Sequence, residues 1–323
     1  MTWLDDSALE RLRQAADSPD LEGTRYRLID KLGEGGMGGV FRVEDRVLER
    51  EVALKVIGVS DPDDVLAIRL LQEARVIAKL EHPGIVPVHD AGALPDGRPY
   101  YTMKLVQGKR LDEHAKDVKG LSDRLRIFLR ICDTVAFAHS HYVLHRDLTP
   151  ANVMVGPFGE VLLMDWGLSK LLYGSAGLKV ADRDASNSGQ FAGALTTAHG
   201  SVLGTPGYMA PEQSRGDSLV DQRADIYSLG AILEFLLTDA TSVPRALAAI
   251  RRQAMAEEPA QRYQNVPDLA ADVARFLDGV AVSAYPEGLL ARFWRWIGRN
   301  RAWIALLLAY LVTRALLIFL RPR

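Results

Sequence analysis

The run from His145 to Gly167, HRDLTPANVMVGPFGEVLLMDWG, constrains this chain more than any other stretch. It sets Asp147, Asn152 and Asp165 around two short apolar runs, VMVG and EVLLM, parted by Pro157-Phe158-Gly159. Strand-type runs separated by proline and glycine predict a tight hairpin. A hairpin that short returns its two ends to one place, so the three polar side chains can face a single site. Oxygen donors with a separately placed carboxylate suit Mg²⁺, which keeps water and phosphate oxygens in its shell.

Composition narrows the classes that remain. With 323 residues, 48% hydrophobic and 25% charged, the chain holds one large or two modest globular domains. A formal net charge of −2 leaves no electrostatic footprint for nucleic acid, and no nucleic-acid partner is expected. The single cysteine, Cys132, rules out an internal disulfide and fits a reducing compartment. It sits in LRICDTVAFAH, an apolar helical pattern, so a buried core thiol is expected. Met1 to Glu10 is acidic and lacks the apolar core of a signal peptide. Residues 5–16, DDSALERLRQAA, read as a short helix with acids first and arginines later.

From Tyr26 the pattern turns strand-like: YRLIDKL, then GEGGMGG, then VFRVED. Gly33-Glu34-Gly35-Gly36-Met37-Gly38 is a G-x-G-x-x-G run, which dinucleotide-binding folds share. In those folds the glycines open a helix, whereas here they lie between two strand patterns. Backbone N–H groups approach phosphate closely only where side chains are absent. Lys55 follows in the apolar strand EVALKVI, and Glu73 in the helical run Val65 to Leu80. Each alone reads as a snorkelling or solvated surface residue.

Taken together, His-Arg-Asp, the spaced Asn152, Asp165-Trp166-Gly167, the glycine run, Lys55 and Glu73 resemble the eukaryotic-type protein kinases, in their bacterial, membrane-anchored serine/threonine form. The resemblance covers about residues 26–279. It implies an α+β, bilobal kinase fold: an N-lobe at 26–106, rich in β-strands, and a helical C-lobe at 107–282, after an N-terminal extension at 1–25. It implies ATP and Mg²⁺ as cofactors. Leu32, Gly33, Glu34, Gly35, Gly36, Met37, Gly38, Gly39 and Val40 would form the flap over ATP. Lys55 would grip the α- and β-phosphates, with Glu73 as its partner. Ala53, Met103, Lys104, Val106 and Met154 would line the adenine pocket, Met103 at its back and Lys104 to Val106 as the hinge. Asp147 would be the catalytic base, and Asn152 and Asp165 the metal ligands.

Two positions depart from the family. Thr149 stands where most serine/threonine members carry a lysine that touches the transferred phosphate, and Trp166 replaces a phenylalanine. Losing one such donor costs on the order of 10²–10³ in rate. Gly204 to Glu212, GTPGYMAPE, resembles the substrate-binding end of serine/threonine kinases rather than the tyrosine-specific branch. Thr196, Thr197 and Ser201 are candidate phosphoacceptors in the long segment before it, and Arg146 would pair with a phosphate there. Asp225 would brace the catalytic loop and Arg262 would pair with Glu212. His139, His141 and His145 invite a metal reading, but no cysteine or acid completes a zinc shell. The connection from Thr238 to Gln261 is short, as though one C-lobe helix were missing.

The last segment is the compositional exception. Trp303 to Leu320 is apolar apart from Thr313 and Arg314, and spans roughly 27 Å as a helix. Residues 283–302 mix Phe293, Trp294 and Trp296 with Arg292, Arg295, Arg299 and Arg301, an interfacial belt with the positive charge of a cytoplasmic flank. A single-pass membrane helix at 303–320 is therefore expected, with the kinase domain cytoplasmic. A helix lying on the membrane or docked on a partner is the alternative.

The expected function is ATP-dependent phosphorylation of protein serine and threonine hydroxyls, with protein substrates as partners and a homodimer for trans-autophosphorylation. A small-molecule kinase of the aminoglycoside type is opposed by the GTPGYMAPE run. A reading of another class is an ATP-binding pseudokinase scaffold at the membrane, for which Thr149 and the short C-lobe connection speak.

Overall fold

The computed structural model describes residues 18–35, 38–57, 65–166, 170–171, 205–217, 220–238, 243–285 and 301–319. The expected helix at 5–16, Gly36 and Met37 of the glycine run, the acceptors Thr196, Thr197 and Ser201, and the aromatic-basic stretch 286–300 lie outside the described residues.

Five strands form the first lobe: β1 (Tyr26–Gly35), β2 (Gly38–Asp45), β3 (Arg50–Ile57), β4 (Val88–Ala93) and β5 (Pro99–Lys104). They pair antiparallel in the order β1-β2-β3-β5-β4. β2 alternates half-buried and buried residues along its length, the period of two that a strand with one covered face requires. Its partner β3 sets Ala53 opposite Met103 and Lys55 opposite Tyr101 on β5. Helix α1 (Val65–Ile77) covers this sheet, and its Leu70 and Ala74 join Ile57, Tyr101 and Met103 in one buried cluster.

The second lobe is helical: α2 (Leu111–Asp117), α3 (Leu121–Ser140), α4 (Pro211–Ser214), α5 (Arg223–Leu237), α6 (Arg245–Ala254) and α7 (Val266–Leu277). Nearly every residue of α5 is apolar or small, and most of the helix is buried, as a helix without a polar face must be. Its buried residues share one core cluster with Phe128, Ile131 and Val135 of α3 and Leu269 and Val273 of α7. Burying side chains of this size contributes about 1.5–3 kcal/mol each. Among the described residues, the short connection 238–261 carries one α-helix, α6, and a 3₁₀ turn at Pro259–Gln261. This is the expected bilobal architecture. The lobes are joined where the Leu163 N–H donates to the Gly84 carbonyl at 2.8 Å.

The hairpin expected after Asn152 is present. β8 (Val153–Val155) pairs antiparallel with β9 (Val161–Leu163), and β6 (Lys109–Arg110) lies on its other side. Gly159, at φ +78°, makes the turn that a side chain would strain. One element is shorter than its pattern, since LSDRLRIFLRICDTVAFAHSHYVLHRD reads as one long amphipathic helix running into the catalytic loop. The apolar helix leading to the catalytic loop stops at Ser140, because Tyr142 adopts a left-handed φ of +61° and β7 (Val143–Leu144) takes over.

Of the membrane expectation, the helix is present and the crossing is not shown. Helix α8 (Arg301–Phe319) occupies the expected position. Among the described residues, however, no helix is long and apolar enough to cross a membrane. The side chains described in α8 are those from Trp303 to Arg314. Over that stretch Trp303, Leu306, Leu307, Leu308, Tyr310, Leu311 and Val312 are exposed.

Candidate active site

Three separate stretches bring charge together between the lobes. Lys55 on β3 places Nζ 2.9 and 3.0 Å from the two carboxylate oxygens of Glu73 on α1, and 3.2 Å from Asp165 Oδ1. The Tyr101 hydroxyl donates to Glu73 Oε1 at 3.0 Å. Burial alone would lower the Lys55 pKa, but Glu73 and Asp165 outweigh it and raise it above the ordinary lysine value. The ammonium therefore stays charged. Tyr101 was not singled out in the sequence. Only its register opposite Lys55 marks it, because side chains directly opposite on one sheet face meet.

The catalytic loop hangs on Asp225, at the start of α5 and fully buried. Its Oδ2 takes the His145 N–H at 2.9 Å and His139 Nε2 at 2.7 Å, and its Oδ1 takes the Arg146 N–H at 2.8 Å. Burial pushes this carboxyl up, yet the bonds from His139 and the loop hold it below the usual range. The bracing role expected of Asp225 is thus what these contacts do. The three histidines go to separate partners: His139 to Asp225, His145 to the Met164 carbonyl at 3.0 Å, and His141 to Phe137 and Ser140. Arg146 and Asp165 have φ of +69° and +55°, left-handed conformations that cost such residues about 1–3 kcal/mol and gather at functional sites.

Asn152 closes the hairpin. Its carbonyl takes the Met164 N–H at 2.8 Å, so the two ends bearing Asn152 and Asp165 are side by side. Its amide Nδ2 donates to the Asp147 carbonyl at 2.8 Å and to Asp147 Oδ2 at 3.2 Å. That leaves the amide oxygen as the donor available to a metal. Asp147 Oδ1 accepts from the Thr205 N–H at 3.2 Å and the Thr205 hydroxyl at 3.0 Å. All of these bonds to the Asp147 carboxylate come from neutral groups. Thr205 lies in the GTPGYMAPE run, and its contact with Asp147, 58 positions earlier in the chain, has no local sequence signal. Thr149 is buried beside them and adds no charge.

The remaining expectations fall around this centre. Val40, Ala53, Met103, Val106, Met154 and Leu162 belong to one apolar cluster. Lys104 is exposed, and its N–H is spent on the Pro87 carbonyl at 3.1 Å. Leu32 is exposed, and Glu34 is turned onto Lys31 at 2.8 Å, so these two belong to the flap only by position. Gly33, Gly35, Gly38 and Gly39 lie on the facing ends of β1 and β2. A Cβ on Gly39 would meet the Phe41 ring at 2.5 Å. Trp166 is buried with its ring 4.6 Å from that of His145, and its indole N–H has no partner among the described residues. Arg262 grips Glu212 with two bonds of 2.6 and 2.7 Å, as expected.

The donor set fits Mg²⁺ better than a self-contained metal centre. Among the described residues no group of three or more His, Cys, Asp or Glu could hold a metal ion. One amide oxygen with the half-exposed Asp165 carboxylate is the sparse protein contribution that Mg²⁺ accepts when phosphates fill the shell.

Comparison with known proteins agrees with this geometry. A family profile described as the protein kinase domain matches residues 26–283. The chain is 36% identical over 299 residues to a serine/threonine-protein kinase PknD of Chlamydia caviae, covering 79% of this chain and 31% of that protein. It is 34% identical over 304 residues to a PknD of Protochlamydia amoebophila, covering 79% of this chain and 30% of that protein. The chain thus spans under a third of the length of these curated relatives. Among solved structures it is similar to the PknI kinase domain of Mycobacterium tuberculosis, with a TM-score of 0.55 and 27% identity, over 78% of this chain and 95% of that one.

Proposed function

The chain belongs to the protein kinase family, and from that premise we propose that it transfers the γ-phosphoryl group of ATP to serine and threonine hydroxyls of proteins. The observation that carries the reading is the convergence of Lys55, Glu73, Asp147, Asn152 and Asp165 at one cleft. ATP would lie with its adenine against the apolar residues Ala53 and Met154 and its phosphates under the strand ends Gly35 and Gly38. Lys55 would hold the phosphates, kept charged and aimed by Glu73. Asp147 would accept the proton of the incoming hydroxyl. Asn152 and Asp165 would hold Mg²⁺, which supplies charge neutralisation at the transferring group. Little covalent chemistry falls to the protein, so positioning and electrostatics carry the acceleration.

The scaffold alternative is set aside, since only Thr149 and the short C-lobe connection speak for it, while Lys55, Glu73, Asp147, Asn152 and Asp165 are all in place. The exposed apolar residues of α8 favour membrane association of the C-terminal segment, with the kinase lobes in the cytoplasm and self-association for trans-autophosphorylation. Labelled ATP, Mg²⁺ and a generic protein substrate test the activity. Label on serine or threonine supports the reading; label on tyrosine alone, or on none, contradicts it.

A further inference from the structure

Asp272 stands on α7 and takes no part in the site above, yet it is fully buried and accepts five hydrogen bonds. Its Oδ1 accepts from Arg275 Nη1 and from the Ser283 N–H, each at 2.8 Å. Its Oδ2 accepts from the Tyr263 hydroxyl at 2.9 Å, the Ser283 hydroxyl at 2.6 Å and the Ala284 N–H at 2.9 Å. The chain reaches back because Gly279, at φ +66°, ends α7, while the Val280 N–H returns to the Arg275 carbonyl at 2.8 Å. Val282 is then buried, and Ala284 and Tyr285 lie against the main core. One carboxylate therefore fastens the segment that leads toward α8. The bonds from Ser283, Ala284 and Tyr263 outweigh burial and hold its pKa at about 2, so it is ionised at neutral pH.

Ser283 is exposed, although its hydroxyl is bound to this carboxylate. We propose that Ser283 is a phosphoacceptor for a second copy of this chain, and that its phosphorylation opens the Asp272 latch. The inference rests on the serine/threonine kinase reading above. In the transfer, a bond forms between Ser283 Oγ and the γ-phosphorus of ATP, and the bond from that phosphorus to the β,γ-bridging oxygen breaks. ADP leaves, and the hydroxyl proton passes to Asp147 of the acting copy. The product has lost the O–H that Asp272 Oδ2 accepted. It brings about −1.5 to −2 of charge against a buried carboxylate. Arg275 is the cation bonded to that carboxylate, and it is already engaged on Oδ1. Repulsion and a lost donor then act together on Ser283 and Ala284.

The full chain tests both halves. It is incubated with ATP and Mg²⁺, its phosphosites are mapped by mass spectrometry, and hydrogen exchange is followed at the Ser283 and Ala284 amides. Ser283→Glu and Ser283→Ala are measured without ATP. Phosphate on Ser283 is expected, with amide exchange accelerated about tenfold or more in the phosphorylated chain and in Ser283→Glu. In Ser283→Ala both amides keep their acceptor, so the acceleration should stay within about threefold. Phosphate at other sites with Ser283 unmodified would overturn the inference while leaving the kinase reading intact. No phosphate on any residue or on an added substrate would overturn the kinase reading instead. Ser283→Glu exchanging like the unmodified chain, or Ser283→Ala exchanging as fast as Ser283→Glu, would overturn the latch.

Discussion

Lys55 Nζ lies 2.9 Å from Glu73 Oε1, across 18 positions of sequence, with the Glu73 side chain only 1% exposed. A buried carboxylate is tolerated only when paired, so each residue holds the other in its working place. Lys55→Met should lower kcat by about 10²–10³. It leaves Glu73 with the Tyr101 hydroxyl as its remaining bonded partner here. Steady-state kinetics with a protein substrate checks this, alongside thermal unfolding to show that the fold survives.

Arg262 and Glu212 form the second buried pair, and both side chains are almost fully out of solvent. Removing one partner strands the other charge, so Arg262→Ala should destabilise by about 3–5 kcal/mol. Glu212→Gln together with Arg262→Met should cost less than the sum of the two single changes. Denaturant unfolding of the four forms measures the coupling directly.

Thr149 leaves the Asp147 region without the lysine usual in relatives. If that charge limits the rate, Thr149→Lys should raise kcat by on the order of tenfold to a hundredfold, with little change in KM for ATP. Transient kinetics separates this from faster product release.

Asp272 gives a pH prediction with a defined sign. Its folded pKa, about 2, lies below the ordinary aspartate value of about 3.9. A depressed carboxylate pKa contributes stability that is fully present above the ordinary value and is lost as pH falls through the folded one. About 2–3 kcal/mol should therefore disappear between roughly pH 4 and pH 2. Urea unfolding of the full chain and of Asp272→Asn should show their stability difference narrowing over that window.

The motifs made the chemistry legible because each of their residues is fixed by what phosphate, metal or a proton requires. Asp147, Asn152 and Asp165 could be placed from the hairpin between them, and Asp225 and Arg262 from their resemblance alone. Tyr101 and Thr205 escaped because their contacts depend on strand register and on packing between segments distant in sequence. The Asp272 cluster escaped for a related reason: Ser283 reaches Asp272 only because Gly279 reverses the chain. The helix before the catalytic loop ran long in the pattern because Tyr142 breaks it by backbone conformation, not by composition. At the C-terminus the apolar run gave the helix correctly. Among the described residues no helix is long and apolar enough to cross a membrane, so crossing stays a separate matter from the helix itself.

Whether Asp147 is the base that the site is built around is tested most directly with the full chain and Asp147→Asn. Both would be assayed for phosphoryl transfer to protein and for ATP binding at matched concentrations. The amide keeps the shape and the contact with Thr205 but cannot take a proton at neutral pH. The account predicts unchanged ATP affinity with transfer to serine and threonine reduced by about 10²–10⁴-fold. Equal transfer by both proteins would contradict it.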